Sequence, residues 1–96
     1  MASEEEKKIH AIWLKGFDLV NKCLTPIQVT NSILKLKRSG MSAQEIAAAF
    51  EVNVEEVEHD ITLLEEATAL MKESNRQAAL WIKQNGASPL LEGYDE

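Results

Sequence analysis

Between Arg38 and Lys72 the chain carries no lysine or arginine, a gap that spans its middle third. Sixteen acids against ten bases leave a net charge of −6, a balance that nucleic acid and anionic membranes both repel. A local basic patch can still outvote that total. Cysteine is nearly absent too: Cys23 stands alone, so no intramolecular disulfide forms. The redox compartment is left untested by it, and a cytoplasmic home is the simplest expectation. No uncharged run approaches the ~20 apolar residues of a membrane span. The opening "MASEEEKK" lacks the basic start and apolar core of a signal peptide, so a soluble protein with no membrane partner is expected. Only four glycines and two prolines interrupt the 96 residues, while Ala, Leu, Glu and Lys are plentiful. That favours helices throughout.

At this length roughly 60–65% of the unfolded chain's surface can be buried, enough for one small core. The spacing predicts a first helix over about 3–22, capped by Ser3, with Ile9, Ile12, Trp13, Phe17 and Val20 as its apolar stripe. "TPIQ" predicts a second start, with Thr25 as cap, Pro26 at the first helical position and Gln28 completing a capping box. Ser39-Gly40 closes that helix. Ser42 and Glu45 form another capping box for a short third helix carrying Ile46, Ala47 and Phe50 inward. Asn53 caps a fourth, whose inward series is Val54, Val57, Ile61, Leu64, Thr68 and Met71.

Ser74 and Gln77 look like one more capping box, so this helix either breaks there or runs on to about Gln84. The expected fold is all-α: four or five helices, with a long C-terminal helix or helix pair. The expected limits are one helical domain over 1–84 and an acidic extended tail over 85–96 with a small apolar plug, its Leu90, Leu91 and Tyr94 offering a candidate second contact to a partner.

The stretch "SGMSAQEIAAAFEVNVEEVEHDI" resembles the helix-turn-helix superfamily, closest in pattern to LuxR-type regulators and sigma-factor region four. The resemblance covers about 33–64. "SGMSAQEIA" matches the family's opening segment, Ala47 its small crossing residue, Phe50 and Val52 the apolar flanks of the turn, and Asn53 the cap of the recognition helix. Val57 and Ile61 match the buried face of that helix. Glu51 departs from the glycine often found at the turn, where a left-handed backbone costs a side chain on the order of 1 kcal/mol.

The resemblance implies a groove-facing surface of Asn53, Val54, Glu55, Glu58, His59 and Thr62. Steps of about 100° place Glu55, Glu58, His59, Thr62 and Glu66 opposite Val57 and Ile61. None of these is Arg, Lys or Gln, which make most contacts to bases and phosphates. A carboxylate held ~7 Å from a phosphate is repelled by roughly 0.6 kcal/mol in water and ~2.4 at an effective dielectric of 20. Three or four such groups compete with the ~5–8 kcal/mol of ordinary non-specific binding. DNA is therefore disfavoured. The counter-evidence is Lys35, Lys37 and Arg38, which serve either as phosphate-backbone contacts or as compensation of a helix dipole.

Metal ligation fails on spacing, since His10, His59 and Cys23 form no C-x-x-C or H-x-x-x-H pattern. No phosphate loop, nucleophile elbow or EF-hand loop is present, so neither catalysis nor a cofactor is expected. The heptad rhythm from Val54 through Asn75, Ala78 and Ile82 admits self-association through 54–82, with Asn75 setting register. It equally admits packing on the first helix, with Trp13 and Trp81 filling the core. Two functions compete. One is a small acidic regulatory module that binds a basic protein surface through Glu55, Glu58, His59, Thr62 and Glu66. The other is an oligomeric DNA-binding protein, a transcription regulator or one similar to phage small terminase subunits.

Overall fold

The computed structural model describes residues 3–91, which form four helices. These are α1 (Glu4–Asn21), α2 (Ile27–Arg38), α3 (Ala43–Phe50) and α4 (Val54–Asn85). The described residues contain no strand, and none of their helices is long and apolar enough to cross a membrane. They fall into two compact units: one from residues 3–18 and 67–91, the other Leu19–Glu66.

In Leu19–Glu66, Ile33, Ile46 and Val57 are fully buried, and Val29, Ala47 and Leu64 complete the core. Its helix ends follow local chemistry. Gly40 takes a left-handed φ of 106°, and Gly40 and Met41 N–H donate back to the Lys37 and Leu36 carbonyls. That Schellman pattern satisfies carbonyls that α2 would otherwise leave bare. Ser42 and Glu45 form the expected reciprocal box at the start of α3. Asn53 Oδ1 accepts from Glu55 N–H at 2.8 Å and caps α4. Glu51 does adopt the left-handed conformation, at φ 56° and ψ 43°.

Two expectations fail here. Thr25 is not the cap of α2: Pro26 holds that position with no side-chain cap at all. The Thr25 hydroxyl goes instead to the buried carboxylate of Asp60, at 2.6 Å, a charge-assisted bond that outcompetes a neutral cap. Phe50 is not fully inward either. It sits on the last residue of α3, next to the reversal at Glu51, and stays 36% exposed.

The other unit has a smaller core of Ile9, Ala78 and Leu91, with Trp81 and Ile82 packed on it. The α1 stripe is rotated from the expected one. Ile9 and Gly16 are buried, but Phe17 is 46% exposed. A Cβ on Gly16 would meet the Ala67 carbonyl and Met71 Cγ at 3.0 Å each, so a close crossing of α1 and α4 depends on the missing side chain. α4 does not break at Ser74. That residue is fully buried, and its hydroxyl donates to the Ile9 carbonyl at 3.0 Å rather than capping a new helix.

Gly86, with φ 92°, ends α4 as expected. The segment after it is folded rather than extended. Ser88 is buried and donates to Glu6, Leu91 N–H donates to the Ser88 carbonyl at 3.2 Å, and Leu91 is 1% exposed. Leu91 therefore belongs to the core and offers no second contact. Tyr94 lies outside the described residues.

Candidate interaction face on the fourth helix

Val57 and Asp60 are completely buried and Leu64 nearly so, which fixes the rotation of the N-terminal half of α4. Glu55, Glu58, His59, Thr62 and Glu66 are consequently all exposed. The helix presents these side chains as a band of carboxylates with one imidazole and one hydroxyl. Thr62 turns its hydroxyl back to the Glu58 carbonyl at 3.3 Å, so the band's polar display is chiefly its carboxylates.

Asp60 holds that rotation in place. Its carboxylate accepts from Leu24 N–H at 2.8 Å, Thr25 N–H at 2.9 Å and the Thr25 hydroxyl. His59 Nδ1–H donates to Oδ1, the oxygen shared with Leu24, at 3.0 Å. Burial pushes the Asp60 pKa up, but the hydrogen bonds from Thr25, His59 and Leu24 outweigh it and hold the group below the usual carboxylate value. One buried anion thus ties the loop before α2 to α4. The pattern of α4 did carry a signal for this: Asp60 lies about 60° from Val57 around the helix, inside the apolar sector.

Cys23, His59 and Asp60 are near neighbours, and together they have the residue types of a nucleophilic site. The chemistry does not follow. Burial, and then the negative charge of Asp60, push the Cys23 thiol up to about 11, so it stays protonated near neutral pH and is no nucleophile. Its Sγ–H faces the Leu19 carbonyl, while His59 is bound to Asp60. Among the described residues no group of three or more His, Cys, Asp or Glu could hold a metal ion.

The basic cluster does not converge. Lys35, Lys37 and Arg38 are all exposed, but steps of about 100° put Lys37 some 160° from Lys35 around α2. Lys37 forms an ion pair with Glu65 of α4, which sequence reasoning missed. Lys35 and Arg38 alone share a side. The seam expected to drive self-association is spent inside the chain: Val54 and Ile61 pack on one core, Ala78 and Ile82 belong to the other. An open groove of about 280 Å³ in the smaller unit sets apolar Ile9, Leu80 and Trp81 beside Glu5, Lys8, Arg76, Gln77 and Gln84, and Gln77 donates to Glu73 at 2.7 Å. Arg76 is already committed to Glu73, with Nε at 3.0 Å from its carboxylate. No family model matches the chain, and no curated protein or solved structure does either.

Proposed function

We propose that this chain is a small acidic regulatory module that binds a basic protein surface through Glu55, Glu58, His59, Thr62 and Glu66. One observation carries the reading. The five residues of the exposed α4 band include no Lys or Arg, and Lys37, a basic side chain that reaches α4, is paired with Glu65 at the band's edge. Carboxylates on a rigid helix meeting a basic partner speed association and make it salt-sensitive. A single protonated thiol suits a reducing, cytoplasmic setting.

The second reading is a helix-turn-helix DNA-binding protein acting as an oligomer. It is favoured by the capping box that opens α3, the buried Ala47 and the short turn from Glu51 to Asn53 before α4. Lys35 and Arg38 would then be the backbone anchors, multiplied by avidity. Fluorescence anisotropy on labelled random-sequence duplex at low salt separates the two. The protein-binding reading expects no change in anisotropy. Binding that weakens steeply with added salt would overturn it in favour of DNA.

A further inference from the structure

The acidic band of α4 has an apolar neighbour. At its His59 edge, His59 Nδ1–H and Leu24 N–H donate to the same oxygen of Asp60, at 3.0 and 2.8 Å. The turn between α1 and α2 therefore lies directly against the band. Thr25, at the centre of that turn, is drawn inward by Asp60 and Thr30. Leu24 before it and Ile27 after it are left facing out, 57% and 70% exposed. No other large apolar side chain among the described residues exceeds 46%. A hollow of about 170 Å³ adjoins the turn, with Val20, Cys23 and Ile27 as its apolar lining. Lys22, the cation nearest this turn in sequence, is already engaged.

We propose that the partner of this face is a basic amphipathic helix, its lysines and arginines along the α4 carboxylates and a leucine or methionine of its neighbouring stripe packed on Leu24 and Ile27. The cations are those the acidic-band reading already requires, on which this proposal rests; the apolar stripe is new. An exposed leucine standing alone is ordinary. A pair of aliphatic side chains beside a row of carboxylates is a mixed surface, and it matches a partner that is mixed in the same way. Glu55, Glu58 and Glu66 span three turns of α4, about 16 Å. A helix lying alongside meets them with cations at steps of three and four, and its residues one stripe round reach the turn. Charge speeds the encounter and sets the register, whereas apolar burial slows release. A phosphate backbone offers nothing to bury on Leu24 and Ile27.

Isothermal titration calorimetry of the full chain with two synthetic helical peptides at low salt tests it. Both peptides carry the same lysines and arginines; one has leucines on the neighbouring stripe, the other alanines. The expected result is that the leucine peptide binds about tenfold tighter or more, and that both affinities fall together with added salt. Leu24→Gln, which keeps the backbone N–H bond to Asp60, removes most of that preference, and Ile27→Gln a smaller part. Each variant binds the alanine peptide as before, which shows it folded. Equal affinity for the two peptides, or a preference indifferent to both substitutions, overturns the apolar contact and leaves the acidic band standing. If neither peptide binds at low salt, the band itself fails and the contact with it.

Discussion

Leu19–Glu66 is one continuous stretch whose helices are bounded by their own neighbours in sequence, whereas the other unit joins residues 3–18 to residues 67–91. The first buries six apolar residues at its centre and packs nine more around them. Among the described residues the second centres on three, with two packed beside them, and relies on a glycine contact and buried polar bonds to close. Ser74 to the Ile9 carbonyl, and Ser88 to Glu6, bridge 65 and 82 residues of sequence. A unit of local signals and many apolar contacts should hold together better than one of few contacts and long closures. Amide hydrogen exchange reports that difference directly, as lower protection in residues 67–85 than around Val57.

The sharpest way to break the comparison is at Gly16. Gly16→Leu drives a side chain into the Ala67 carbonyl, which cannot move aside as the Met71 side chain can, and costs about 3 kcal/mol. Hydrogen exchange should show amides of the smaller unit losing protection while those around Ile33, Ile46 and Val57 keep theirs. Equal loss in both would mean that the two behave as one cooperative body.

Asp60→Asn probes the larger unit and costs about 2 kcal/mol at neutral pH, since buried donors lose a charged acceptor. The pH dependence adds a signature. Asp60 titrates below its ordinary value of 3.8 in the folded chain, so its stabilisation is fully present above that value. It is lost as pH falls through the lower folded pKa. Glu6, also held low by its bond from Ser3 N–H and by Ser88, behaves the same way in the smaller unit. Urea titrations should therefore show acid destabilisation below about pH 4, and Asp60→Asn should flatten it only for Leu19–Glu66.

Much of the larger unit was legible because its decisive signals are short-range. The Ser42–Glu45 box, the Asn53 cap, the glycine stop at Gly40 and the exposed carboxylates of α4 all follow from residues within one or two turns. Glu51 is the instructive case. Its left-handed backbone was expected as a cost of matching the turn, and the chain accepts that cost. Glu51→Gly should stabilise the protein by on the order of 1 kcal/mol, seen as a higher melting temperature.

The smaller unit was hard to read for a physical reason. Hydrophobic periodicity scores side chains, so it credited Phe17 with the place that Gly16 fills by having none. Polar residues look like caps or surface until their distant partners are known. The Ser74–Gln77 spacing fits a cap as well as a continuous helix, Ser88 falls in an expected tail, and Thr25 reads as the cap of α2 because Asp60, which claims it, is 35 residues away. Ser74→Ala is the smallest test, about 0.5–1 kcal/mol by chemical denaturation. Hydrogen-exchange protection should fall in the smaller unit alone.

The acidic band on α4 is the central claim, and one titration addresses it most directly. Isotope-labelled protein is titrated with an unlabelled lysine- and arginine-rich helical peptide at low salt, and the backbone amide shifts are followed by NMR. Binding through the acidic band gives shifts concentrated between Glu55 and Glu66, diminished by salt and abolished by the combined changes Glu55→Lys, Glu58→Lys and Glu66→Lys. Shifts concentrated elsewhere, such as on Glu4 to Glu6, or unchanged by those substitutions, would contradict it.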